Sequence, residues 1–293
     1  MSSLLGVILR SIEYGSIYAL AALGIVLIFR TSFTTNFAQG VIGMFNAFVV
    51  ATIVEKLGLG LLPAVLIGVI TAILTGVIID VVLMRHAKKV SLVGKQILTL
   101  GVLLIITGIT PMIFGPFPKT LPQVIRGGSF NILGARLSHN ATFNIIFTIA
   151  LLGIMLLILL KTKAGLSIRA TASNENTARL MGIKTKRVTM ISWAVAAVLS
   201  LLAATMAAPF SVVNITFMND IQITAFMAVV LGGFSTFHGP VIASFIISIT
   251  NNILQVYIPQ GTIWGKPIVY ILILVFLIFK PRGMFGKEIT KKV

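Results

Sequence analysis

Nine apolar runs, at roughly 9–28, 36–55, 61–84, 95–115, 140–160, 189–210, 220–235, 239–258 and 265–280, dominate the chain. Most reach the ~20 residues needed to cross a hydrocarbon core of ~30 Å. They lack the strict alternation of barrel strands, and a backbone in lipid must pair its own polar groups, so they read as helices. Only 10% of the residues are charged, against about 25% in a soluble domain. With 57% hydrophobic residues, water alone cannot be the solvent for this surface. The expected fold is all-α: one polytopic membrane domain over residues 1–293 with about eight to nine transmembrane helices. The seventh run is short, rising only ~22 Å. It therefore pairs with the eighth around a break at "GGFSTFHGP" (Gly232–Pro240). The opening "MSSLLGVILRSIEYGS" has neither a basic leader nor a small-residue cleavage site, and reads as the start of a retained span.

The net charge of +17 would suggest nucleic acid in a soluble protein, but in a membrane protein basic loops mark the cytoplasmic side. One set of alternate connections holds Arg30, Arg85, Lys88, Lys89 and Lys95, the seven basic residues between Lys161 and Arg187, and five from Lys280 to Lys292. The other holds Arg10, Lys56, Lys119, Arg126, Arg136 and Lys266. The imbalance puts the 161–188 loop and the 281–293 tail in the cytoplasm and the N-terminus outside. The loop 116–139 reads as ordered turns with a short hairpin. The absence of cysteine excludes disulfides and thiolate chemistry, and six acids leave little room for carboxylate catalysis. His86, His139 and His238 lack zinc-ligand spacing, so no metal is expected. The pairs Gly94-Lys95, Gly265-Lys266 and Gly286-Lys287 lack the rest of a phosphate-cradling loop, so the chain is not expected to hydrolyse ATP or to act as an enzyme.

Gly94, Gly101, Gly108 and Gly115 recur every seven residues along the fourth run. The stripe predicts close approach of a neighbouring helix. Between Lys161 and Val188 the chain turns polar. There "SNENTARLMG" is helix-competent: Ser173 or Asn174 can cap it, Glu175 suits the first turn, and Gly182 can close it. Ala178 and Gly182, four apart, would share a small-residue face. Composition leaves two readings, a helix that docks into a partner and a solvated connector that only sets topology.

Four segments in order carry a resemblance over nearly the full length: "GSIYALAALGIVLIFRT" with "NFAQG", "GLSIRATASNENTARLMGIKTKRV", "AVVLGGFSTFHGPVIAS" and "KPRGMFG". They resemble the permease subunits of bacterial ABC importers, most closely LivH-like permeases for branched-chain amino acids. The resemblance implies an ABC importer transmembrane domain in the bacterial cytoplasmic (inner) membrane. It also implies a second, LivM-like permease, two ATPase subunits that bind the ATP, and an extracytoplasmic solute-binding protein. No cofactor is implied for this chain, and the solute would be a branched-chain or other hydrophobic amino acid; relatives also carry urea, short amides or sugars. ABC permeases carry an Ala-x-x-x-Gly signature in a coupling helix seated in the ATPase, which falls here on Ala178 and Gly182, with Arg169, Asn174 and Glu175 in the same loop. The chain departs from that pattern at Asn176, where the broader signature has an acid, and at Gln39, where relatives often carry His.

Polar residues inside spans are costly in lipid and tend to face an interior. Asn36, Gln39, Gly40 and Asn46, and later Asn214 and Asp220, are candidates for a neutral polar translocation path. The same residues also suit hydrogen bonds between helices. Asp80 most simply pairs with Arg85 or stays hydrated. Glu13 is the one acid that could sit at depth, with an outer-end position favoured because Arg10 and Tyr14 suit an interface. Two other classes compete with the importer. An ion-coupled secondary transporter would need a midplane acid, of which the spans offer almost none. A membrane enzyme would need a catalytic constellation, and the sequence carries none.

Overall fold

A computed structural model describes residues 4–132 and 134–286. The first helix, α1 (Leu4–Ser32), is followed by a non-helical stretch and α2 (Gln39–Leu57). Helix α3 (Leu61–Ile78) runs on into a π-helical turn, Ile79–Met84, and α4 covers Leu92–Phe114. An antiparallel hairpin, β1 (Ser129–Ile132) with β2 (Ala135–Ser138), precedes α5 (His139–Lys161). Two short helices, α6 (Lys163–Ser173) and α7 (Glu175–Leu180), lead to α8 (Thr185–Ala207). The chain closes with α9 (Asn219–Gly232), α10 (His238–Tyr257) and α11 (Gly261–Phe279). Eight of these helices, counting α3 with its π turn, are long and apolar enough to cross a membrane, and α9 is a shorter apolar helix. The expected break after the short run is present: α9 ends at Gly232 and α10 begins at His238. The expected hairpin is present too.

Helix α1 forms the axis. It is buried along most of its length and packs against α5, α8, α9 and α10. By contrast α3, α4, α5 and α11 leave most of their apolar surface uncovered, as helices solvated by lipid do. The π turn widens the end of α3 at Asp80, a buried carboxylate that accepts from Arg85 Nε at 3.2 Å. The Arg85 guanidinium also reaches the Lys186 carbonyl (3.5 Å) and Met190 Sδ (3.4 Å), so the start of α8 is joined to the end of α3. A buried carboxylate stays charged at acceptable cost only when paired in this way.

Contacts between connections tie the helix ends together on two faces. On one face Lys119 and Val213 form a β-bridge, and Lys119 pairs with Glu55. On the other, the Met284 amide donates to the Leu231 carbonyl at 2.7 Å, bringing the chain after α11 under the end of α9. The part of the basic tail beyond Gly286 lies outside the described residues.

The glycine stripe of α4 meets no other helix within this chain. A Cβ at Gly101, Gly108 or Gly115 would meet no atom within 4 Å, and at Gly94 it would meet the Val90 side chain. Gly115 is the residue after α4, at φ +86°. Close helix packing is made elsewhere, by α2 and α3 against α8. A Cβ at Gly43 would lie 2.6 Å from the Ser200 carbonyl oxygen, and one at Gly76 2.5 Å from that of Trp193. The sequence displays which residues are small but not which way the helix faces, and α4 turns its stripe away from the bundle.

These contacts set a contrast between two glycines. Gly76→Val overpacks a backbone contact and should cost about 1–3 kcal/mol, seen as a lower melting temperature in detergent. Gly101→Ala fills open space and should be neutral or gain about 0.5–1 kcal/mol from helix propensity.

Candidate functional site

The polar loop is more ordered than a connector. Thr162 caps α6, its hydroxyl accepting from the Gly165 amide at 3.2 Å. This helix was not expected from the sequence, although Thr162 followed by a polar, helix-tolerant run was the available signal. Arg169 donates to the carbonyls of Leu159 (3.0 Å) and Leu160 (2.8 Å), which satisfies the last turn of α5. It therefore bolts α6 to α5 within the chain.

At α7 the cap is Asn174, whose Oδ1 accepts from the Thr177 amide at 3.0 Å. The helix closes in a Schellman arrangement. The Ile183 amide donates to the Ala178 carbonyl and the Gly182 amide to that of Arg179, each at 3.0 Å. Gly182 takes φ +83°, which a side chain would resist. Glu175 accepts from Arg179 at 2.7 Å and from the Thr185 hydroxyl at 3.3 Å, tying α7 to the start of α8. Ala178 does not share an outward face with Gly182: it is buried, and Gly182 lies beyond the helix. The exposed tip is instead Leu180 and Met181, 89% and 79% exposed.

A second constellation lies inside the bundle, where α2 starts against the middle of α8. Gln39 Nε2 donates to the Ala196 carbonyl at 2.8 Å, and the Ser200 hydroxyl donates to the Gln39 carbonyl. Asn36 sits in the non-helical stretch. Its Oδ1 accepts from the Ala38 amide and its Nδ2 donates to Gln39 Oε1, both at 3.0 Å. Neither α2 nor α9 has a side-chain cap of its own. Gln222, in the first turn of α9, accepts from the Gly40 amide and donates to the Asn36 carbonyl at 3.4 Å. One glutamine thus satisfies the start of α2 from another helix. Asn46, farther along α2, donates to the Ile42 carbonyl and accepts from the Thr71 hydroxyl, each at 2.8 Å. Asn36, Gln39 and Asn46 are buried and occupied by these bonds. In this conformation they join helices and do not line an open path.

Asn214 and Asp220 lie apart from that network, toward the face of Lys119. Asn214 Oδ1 accepts from the Thr216 amide at 2.8 Å and from the Thr216 hydroxyl at 2.9 Å, shaping the turn before α9. Asp220 pairs with Lys266 of α11 in a cavity of about 350 Å³. The pair is partly exposed, so it is worth only ~0–1 kcal/mol in water. The sequence could not have paired them, since they meet across two helices. Glu13 lies toward the same face and is buried, accepting from Asn144 Nδ2 at 3.2 Å.

A bundle of apolar helices broken at polar junctions, with an ordered polar loop, is the build of a multi-pass membrane protein. The chain belongs to the family described as "Branched-chain amino acid transport system / permease component", whose model matches residues 7–278. It is the permease component of an ABC transport system for branched-chain amino acids, a transporter part and not an enzyme. The relatives extend over the whole chain. It is 28% identical to a protein of Methanocaldococcus jannaschii named "Probable branched-chain amino acid transport permease protein LivH", covering 96% of this chain and 92% of that one. It is 26% identical to the high-affinity branched-chain amino acid transport system permease protein LivH of Salmonella typhimurium (97% and 96% covered). It is 23% identical to BraD, the corresponding permease protein of Pseudomonas aeruginosa (98% and 97%). No solved structure matches the chain.

The Gln222 contacts can be tested directly. Gln222→Leu strips the start of α2 of its acceptor and should cost about 1–3 kcal/mol. Hydrogen–deuterium exchange at the Gly40 amide should quicken, with exchange at the far end of α2 unchanged.

Proposed function

We propose that α7 is the element through which separate ATPase subunits drive this permease. The observation that carries this reading is the Leu180–Met181 tip: two large apolar side chains held out from a polar loop by a capped and closed short helix. A cap at Asn174, the Gly182 closure and the Glu175 contacts make that tip rigid, and a rigid tip transmits displacement where a floppy one would absorb it. Asp80 and Arg85 extend the connection, because Arg85 meets the start of α8 just after the loop. A push on α7 would reach α3 and α8 together.

In this reading the α6–α7 loop and the end of α11 face the cytoplasm of a bacterial cell, as the basic residues favour. A second permease, related but different, completes the path, and a solute-binding protein delivers branched-chain amino acids to the opposite face. ATP binds to the ATPase subunits, and this chain carries no cofactor of its own. Asn36, Gln39, Gly40 and Asn46 would then form part of the closed section of the path, parted when the helices move.

Replacing Leu180 and Met181 together by Ser should lower solute-stimulated ATP hydrolysis of the assembled complex by about tenfold or more, the loss of two buried anchors. Membrane insertion should be unchanged, since neither side chain is covered by this chain. Normal stimulation would dismiss α7 as the docking element. The sidedness has its own test, made simple by the absence of native cysteine. Met181→Cys should react with an impermeant maleimide only from the cytoplasm, and Ser211→Cys only from outside.

A further inference from the structure

The cavity beside Asp220 has features that the bundle does not need for its own stability. Asp220 comes from the first turn of α9 and Lys266 from α11, and their side chains remain 52% and 33% exposed although they touch each other. Asn251 of α10 lines the same cavity. It is only 6% exposed, yet its Oδ1 has no hydrogen-bond partner. Such an atom is an acceptor held out of water with nothing to accept, and native structures rarely leave one without a reason. Apolar and aromatic side chains line it as well, among them Ile17, Phe210, Phe217 and Ile221. At about 350 Å³ the space is near the small end of the ~300–1,000 Å³ range of ligand pockets.

We propose that Asp220, Lys266 and Asn251 form a subsite for the zwitterionic head of an amino acid, with its apolar side chain against Ile17 and Phe217. The α-ammonium donates to the Asp220 carboxylate and to Asn251 Oδ1, and the α-carboxylate accepts from Lys266 Nζ. A lone anion would be repelled by Asp220 and a lone cation by Lys266. A neutral sugar or amide has no use for two fixed opposite charges. In the empty site the two charges neutralise each other. The ligand replaces one partly hydrated contact with two, each to a full opposite charge, so little is lost on opening the pair. The proposal rests on the amino-acid permease reading and names residues for it. A mere staple between α9 and α11 would explain the ion pair but not the orphaned acceptor on α10.

The test uses the complete complex, with its partner permease, ATPases and binding protein, in proteoliposomes. Uptake of radiolabelled leucine is measured with the loaded binding protein in excess, so that the rate reflects the permease. Asp220→Asn and Lys266→Gln should each lower uptake about tenfold or more, the worth of a charge-assisted hydrogen bond. The double variant D220N/K266Q, which leaves no unpaired charge, should remain as low. Asn251→Ala should also lower uptake, although Oδ1 has no bond within the chain to lose. Recovery of wild-type uptake in the double variant would assign the pair to structure and overturn the subsite. Wild-type uptake in Asn251→Ala would overturn it as well. A wild-type complex that imports another solute but no leucine would refute the amino-acid reading itself, and the subsite with it.

Discussion

Every backbone donor and acceptor that enters hydrocarbon has to find a partner within the protein, and the architecture follows from how this chain meets that demand. Most of it is met by long uninterrupted helices. The demand becomes difficult where α2 starts inside the bundle, at the buried Gln39, a start with no side-chain cap from its own segment. Gln222 supplies the missing acceptor to Gly40, Asn36 folds back on Ala38, and Ser200 and Gln39 tie the junction to α8. Polar side chains that would be costly facing lipid are placed where the broken backbone requires them.

That arrangement accounts for a junction that is closed in this conformation. The bonds holding α2, α8 and α9 together at the junction are individually modest, of order 1 kcal/mol net, and they sit among helices with extensive apolar contact. The tight glycine contacts of Gly43 and Gly76 give α8 a firm hold on α2 and α3. Helix α8 is also the element that the α7 loop leads into. The two ends of the molecule are thereby connected by one helix: ordered polar loop below, polar junction at its middle, and the cavity of Asp220 and Asn251 near its far end.

Much of this was legible in the residues. Hydrophobic run length located the spans, and the short run before "GGFSTFHGP" announced the α9–α10 break. Asp80 and Arg85, five apart at the end of a span, could be paired without coordinates. Asn174 and Gly182 marked the ends of α7 because capping is a local property. Facing direction was not legible in the residues. The α4 glycines have no neighbour in this chain, because periodicity defines a stripe without saying what lies against it. Ala178 turned inward, and Arg169 served the end of α5, because both outcomes depend on how α6 folds back under the bundle.

Hydrophobicity and local propensity act over a few to some twenty residues, so they settled the class of structure, the approximate positions of the apolar helices and the ends of α7. The pairs that shape the interior join positions far apart in the chain: Gly40 with Gln222, Gln39 with Ala196, Asp220 with Lys266. Which polar group meets which across such distances is set by helix rotation and packing depth. Those are collective outcomes of the whole bundle, and no short stretch of residues contains them.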